Sequence, residues 1–167
     1  MSEEVQRYEI LGETIKSATS IKLGEIFKVA TTDKDGKITY TYPKRYKENV
    51  TKPTYPNFSI VQVNFNITPA GIGTGRIQLD YLINIQYRVA ENTETITNLQ
   101  QQLDNIGLKL CSELTELNLE LPTKTKNRRY EKVDGVLQFF FNITVFAIPE
   151  TEDESKLESY KLNEEVI

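Results

Sequence analysis

Few side chains in this sequence could do chemistry, and their spacing narrows the choice further. Gly71, Gly73 and Gly75, separated by Ile72 and Thr74, have the look of a phosphate cradle. A dinucleotide-binding loop needs such glycines between a strand and a helix, so that the helix N-terminus faces the phosphate. Here alternating apolar residues flank the glycines on both sides, which makes them a flexible connection between two strands. Lys124, Lys126 and Arg128 alternate along one predicted strand, with Arg129 and Lys132 close by. Such a stripe could follow a phosphate backbone, guard a sheet edge against unwanted pairing, or meet the acidic tail of a neighbouring subunit. Edge protection ranks first, subunit contact second and nucleic-acid binding third. Cys111 is the single cysteine. It cannot form an internal disulfide, and at the edge of an apolar stripe it packs as a small hydrophobe.

Histidine and tryptophan are absent. Without imidazole, Ser-His-Asp and Cys-His triads, histidine metal sites and histidine general bases all fall away, and a zinc site would need several sulfur ligands. A pair of carboxylates could still cleave a glycosidic bond, but the tryptophan platforms that usually hold a sugar are missing. The expectation is a protein with no catalytic, cofactor or metal site.

The elements that would position these residues follow from periodicity. Leu11, Ile15, Ala18, Leu23, Ile26 and Phe27 recur near the 3.6 period and predict a helix from about Tyr8 to Phe27, with a possible break at Ser17–Ser20. Asp33-Lys34-Asp35-Gly36 is turn chemistry between two short strands. Pro43 to Asn57 holds three prolines and several basic residues, and predicts an extended surface connector. Val61, Val63, Phe65 and Ile67 alternate with Gln62, Asn64 and Asn66 as a strand. Then Ile77, Leu79, Tyr81, Ile83, Ile85, Tyr87 and Val89 occupy consecutive odd positions, a period of two that gives one buried and one wetter face. At ~3.3 Å per residue that strand spans about 45 Å, long enough to extend beyond its own sheet and meet a neighbour.

Asn92 or Thr93 caps a second predicted helix, with Glu94 favourable in its first turn. Its stripe runs Ile96, Leu99, Leu103, Ile106, Leu110, Leu114, Leu117, each worth about 1.5–3 kcal/mol on burial before chain entropy is subtracted. Asp134-Gly135 joins the last two strands, Lys124 to Val133 and Val136 to Ile148. Leu137, Phe139, Phe141, Ile143 and Val145 line one face of the second strand, while Phe140 and Phe146 put aromatics on the other. From Glu150 the chain turns acidic, with seven Asp/Glu against two Lys, and predicts a tail disordered by itself that Leu157 and Tyr160 could anchor. The fold expected is therefore α+β: a mixed or antiparallel sheet carrying two main helices, in the order helix, hairpin, strand, strand, helix, hairpin. Residues 1–149 would form one domain and 150–167 an acidic tail or arm.

The net charge of −4 over 167 residues argues against a dedicated nucleic-acid binder. No apolar run approaches the ~18 residues that span a bilayer, and Met1 to Glu9 lack a signal pattern. Synthesis and folding in a reducing cytoplasm are expected, with the Asn-x-Ser/Thr triplets at Asn49, Asn57, Asn66 and Asn142 unglycosylated. Nine tyrosines, among them Tyr40, Tyr42, Tyr46 and Tyr55, favour interfaces, though sheet propensity accounts for about half of them.

Three local sequences carry a resemblance. They are Tyr46-Lys47-Glu48-Asn49-Val50 with Tyr55-Pro56-Asn57-Phe58-Ser59-Ile60; Ile83-Asn84-Ile85-Gln86-Tyr87 before the leucine-rich helix; and Val133-Asp134-Gly135-Val136-Leu137-Gln138-Phe139-Phe140 with Leu157-Glu158-Ser159-Tyr160. Together they resemble the tail terminator (tail completion) family of phages and phage-tail-like particles of Gram-positive bacteria, from about residue 40 onward and more loosely over the first helix. The resemblance implies a structural subunit that forms a ring, generally a hexamer, on the head-proximal end of a tail tube. Its partners would be copies of itself, the tail tube protein, and sheath and neck or collar proteins, with no membrane and no specific nucleic acid. It would assemble in the bacterial cytoplasm and end in the tail of a virion or bacteriocin-like particle. Such a family has no catalytic residues to carry over. Lys124, Lys126, Arg128, Phe140, Phe146, Leu157 and Tyr160 are the candidate interface residues. The alternatives are a head-completion or neck connector ring protein and, in another class, a nucleic-acid-binding module on the basic stripe.

Overall fold

The computed structural model describes the backbone of residues 3–71, 75–149 and 160–163, and the side chains of residues 11–71 and 75–146. Helix α1 (Glu3–Phe27) starts before the expected Tyr8 and ends at the expected residue. It does not break at Ser17–Ser20. The Thr19 hydroxyl donates to the Ile15 carbonyl at 2.7 Å, so this buried polar group is satisfied within the helix. Leu11, Ile15, Ala18 and Leu23 are buried as their spacing requires.

Strands β1 (Val29–Thr32) and β2 (Ile38–Thr41) form a two-stranded antiparallel hairpin. The Asp33 carboxylate accepts the backbone N–H groups of Asp35 and Lys37, each at 2.9 Å, and Gly36 supplies the positive φ that the turn needs. Inside the connector lies a strand that was not expected, β3 (Lys44–Tyr46), running parallel to β4 (Asn57–Pro69). Three residues on a sheet edge beside Pro43 leave no alternation to detect. Arg45 donates to the Ser20 carbonyl and Lys47 to the Ser17 hydroxyl, tying this basic segment to α1.

The sheet is built around β5 (Ile77–Arg88), antiparallel to β4 on one side and to β9 (Val136–Pro149) on the other. Outside β9 lie β8 (Lys126–Val133) and, further along the same edge, β10 (Tyr160–Asn163). The expectation that β5 overshoots its sheet is corrected. It is paired from Ile77 to Tyr87 with both neighbours, because β4 and β9 are as long as it is. Within the segment expected to be a tail, Tyr160–Asn163 pairs with Pro149–Phe146.

One face of the sheet forms the core. Phe58 and Ile60 of β4, Leu79, Tyr81, Ile83 and Ile85 of β5, and Leu137, Phe139, Phe141, Ile143 and Val145 of β9 are buried there. The period-two reading of β5 and β9 holds. That of β4 needs correction: a bulge between Gln62 and Asn64 changes the parity, so Phe65 and Ile67 share the core face while Val61 and Val63 do not. One inserted residue is enough to move every later side chain to the opposite face.

Helix α2 (Leu99–Glu113) covers β8 and β9 and buries Leu103, Gly107 and Leu110. It starts six residues after the expected cap. Asn92 instead makes a local turn, accepting the Glu94 N–H, and the helix opens at Asn98 with positive φ and no side-chain cap. Its end also comes early: Leu114 is the C-cap, and Leu117 lies in β6 (Glu116–Leu119), paired with β7 (Leu121–Lys124) around Glu120 at φ 76°. Leu114, Leu117 and Leu119 are buried all the same. This hairpin packs against α1.

Candidate assembly surfaces

The basic stripe does not survive folding as one row. Lys124 ends β7, while Lys126 and Arg128 belong to β8, and Asn127 at φ 52° sits in a bulge between Lys126 and Arg129. The bulge turns Arg128 inward. Its Nε donates to the Cys111 carbonyl at 3.1 Å and its Nη1 to the carbonyl and hydroxyl of Thr125 at 3.1 and 3.0 Å. A guanidinium on a carbonyl of the last helical turn satisfies a backbone acceptor that has no intrahelical partner and sits well in the helix dipole. Arg128 therefore joins the end of α2 to the start of β8. Burial pushes the neighbouring Cys111 thiol up, with Arg128 opposing the shift.

Opposite the core, the sheet has a second face; among the described residues, the apolar side chains that α1 and α2 bury belong to the core cluster on the first. The cross-strand rows of the second face follow from the register. One reads Val61, Asn84, Phe140, Arg129; the next reads Asn64, Leu82, Asn142, Lys126; beyond it lie Asn66, Asp80, Thr144 and then Thr68, Gln78, Phe146. Carboxamides dominate the centre. Buried Asn84 donates to the Phe139 carbonyl at 3.3 Å, and Asp80 accepts from Gln78 at 2.7 Å and from Thr144 at 2.6 Å. Phe140 is half-buried with the Arg129 guanidinium 5.1 Å from its ring centroid, and Phe146 is buried with Arg76 at 4.3 Å. Lys126 and the two phenylalanines thus share this face, and Arg128 does not. Tyr160 opens β10 opposite Pro149, and Leu157 lies outside the described residues.

Two further surfaces were only partly visible in the sequence. Every residue of β1 and β2 is exposed, with Val29 at 60%, Ile38 at 56% and Tyr40 at 46% of full accessibility, and Tyr42 just beyond at 53%. The signal was present in the interface tyrosines Tyr40 and Tyr42 and in a hairpin with apolar residues on both faces. The second surface is a groove of about 320 Å³ between α1 and the β6–β7 hairpin, lined by Ile21, Glu25, Leu117, Asn118 and Pro122 among others. It cannot be read from the sequence, because the helical stripe runs on to Leu117 and the next predicted strand opens only at Lys124, with no hairpin expected between them.

The glycine run closes the β4–β5 hairpin, where the Ala70 N–H donates to the Arg76 carbonyl at 2.8 Å; residues 72–74 lie outside the described residues. Among the described residues no group of three or more Cys, Asp or Glu is placed to hold a metal ion, and no helix is long and apolar enough to cross a membrane.

The model of a family described as phage tail terminator protein matches residues 15–155. No curated protein matches the chain. The match takes in nearly all of the described fold, from the middle of α1 through the end of β9. The chain belongs to the phage tail terminator family, and is a structural protein of phage tails that works in contact with other tail components.

Proposed function

We propose that the chain forms a ring, six copies around, that closes the head-proximal end of a tail tube and joins it to the neck or collar. The observation that carries this reading is family membership across residues 15–155. The distribution of surfaces supports it. A ring needs a heterologous interface, in which two unlike patches of one subunit meet between neighbours. A sheet whose described helical side chains pack into the core on one face, an exposed hairpin and a groove between α1 and β6–β7 provide unlike patches. Copies would assemble in the bacterial cytoplasm, contact the tube, and, in a contractile tail, the last sheath ring.

Within this reading Lys124, Lys126 and Phe140 supply subunit or partner contacts, and residues 150–167 contribute an acidic arm to the same contacts. Deleting residues 150–167 should weaken ring assembly while the core still folds; a truncated chain that caps tails as well as the intact one removes the arm from the interface. The reading as a whole is tested by electron microscopy of particles assembled without this chain. Overlong tubes lacking a cap are the expected result. Tubes of normal length, still joined to heads, would overturn it.

A further inference from the structure

We propose, on the premise that this chain forms a ring, that the β1–β2 hairpin of each copy docks into the groove between α1 and the β6–β7 hairpin of the next copy. The hairpin is a body with no core of its own. A lone two-stranded hairpin is marginal in water, and this one leaves all eight strand residues exposed. It is held locally by its turn and by Lys28, whose ammonium lies 4.7 Å from the Tyr40 ring centroid.

Its apolar residues match what an interface needs. Val29, Ile38, Tyr40 and Tyr42 are each 46–60% exposed, which leaves on the order of 400 Å² of side chain in water, about half of what each partner covers in a standard interface. The threonines and lysines of the same arm can supply much of the rest. Tyrosines with exposed rings and a polar tip are favoured anchors at such contacts.

The groove answers in size and charge. Its 320 Å³ corresponds to roughly ten water volumes at ~30 Å³ each, enough for the apolar edge of a hairpin. Ile21, 63% exposed, and the exposed Pro122 offer apolar surface on its two sides. Glu25 and Glu116 outnumber Lys22 along the groove, whereas Lys28, Lys34 and Lys37 outnumber Asp33 and Asp35 on the arm. Opposite net signs steer the two together and disfavour arm-to-arm pairing. The arm and the groove are different patches of one chain, so the contact is head-to-tail and closes when the subunit rotation closes. The arm of a given copy leaves α1 at Phe27, next to its own groove, yet its exposure shows that it does not fill that groove.

The test is a disulfide trap in particles purified from cells, with Cys111→Ser to remove the native thiol, Tyr40→Cys on the arm and Asn118→Cys in the groove. Immunogold labelling of the same particles locates the chain. Oxidation should give a ladder of covalent oligomers on a denaturing gel, absent when either new cysteine is present alone. Label at the tube end with no ladder, a covalent dimer from Tyr40→Cys alone, or a crosslink to the tube protein would each overturn the docking while leaving the ring reading intact. Label away from the tube end would instead sink the ring reading itself. As a second arm, Ile38→Ser with Tyr40→Ser should leave the thermal midpoint unchanged and reduce the ring-bound fraction at least tenfold; unaltered ring occupancy would refute the proposal.

Discussion

Two hairpins of this protein have the same construction and opposite fates. Strands β1–β2 and β6–β7 are each four residues against four, antiparallel, and each forms a sheet of its own beside the main one. The β6–β7 hairpin buries Leu117 and Leu119 in the main core, along with Thr123, and packs on α1. The β1–β2 hairpin buries none of its strand residues, although Val29, Ile38 and Tyr40 also carry large apolar groups. Composition therefore does not decide which hairpin belongs to the fold; the position of the neighbouring surface does. β6 follows Leu114, already fixed in the core at the end of α2, so its alternate leucines meet α1 at once. β1 follows Phe27, whose own ring packs on Phe58 of β4, but from Val29 onward the strand residues are left exposed.

The largest expected effect tests the docked member of the pair. Leu117→Ala removes a side chain that is 1% exposed, and should lower unfolding stability by about 2–5 kcal/mol, as other buried leucines do when a cavity is left behind. Chemical denaturation measures it. A loss close to zero would mean that β6–β7 is as loosely attached as β1–β2, and the contrast would vanish. Next comes Gly107→Ala at the contact of α2 with β8. A Cβ there would lie 2.7 Å from the Tyr130 ring carbons, so the ring must move, at a cost of about 1–3 kcal/mol from overpacking. The Tyr130→Ala background should remove most of that penalty. At the undocked hairpin the expected effect on folding is smaller still. Ile38→Ser and Tyr40→Ser should each stay within about 0.5 kcal/mol, the range of exposed substitutions. A larger loss in the isolated subunit would show that the arm contributes to its own fold and is not held for a partner.

What the sequence made legible follows the same division. Regular alternation on β5 and β9, the 3.6 period of α1, and the Asp33–Gly36 and Asp134-Gly135 turns were readable because each is a local signal that the tertiary structure keeps. Errors arose where two local signals coincide. Leu110, Leu114 and Leu117 fit a helical stripe, but Leu117 and Leu119 equally fit a strand, and the chain leaves the helix at Glu113 to use the second pattern. The basic stripe failed for a different reason. Lys124, Lys126 and Arg128 alternate on paper, yet a break after β7 and a bulge at Asn127 send Arg128 to the end of α2. Bulges leave little trace in composition, which is also why the alternation puts Val61 and Val63 on the face of Phe65 and Ile67 and the structure does not. The candidate surfaces are legible through Tyr40, Tyr42, Lys126, Phe140 and Phe146; the groove depends on a contact between α1 and β6–β7 that no local pattern announces.

A third hairpin, β8–β9, gives the finest test of what docking means here. It is docked on α2, partly by the Tyr130 ring on Gly107 and partly by polar contacts at Asp104. Lys132 donates to one oxygen of Asp104 at 2.8 Å and the Tyr130 hydroxyl to the other at 3.3 Å. The hydrogen bond from Lys132 holds the Asp104 carboxyl below the usual carboxylate range; burial opposes it, and the Lys132 charge and the Tyr130 hydroxyl help. Because the folded value is depressed, the contact contributes stability above the unfolded pKa and loses it as the pH falls through the folded one. At neutral pH it is fully present. Lys132→Met should therefore bring the Asp104 carboxyl back toward its ordinary value in an NMR titration, and should lower the thermal midpoint slightly near neutrality while leaving it little changed in acid, so that its acid sensitivity falls. An unchanged Asp104 titration would mean that the pair is not held in solution. The docking of β8–β9 on α2 would then rest on the packing of Tyr130 against Gly107, which is the same kind of attachment that β6–β7 has and β1–β2 lacks.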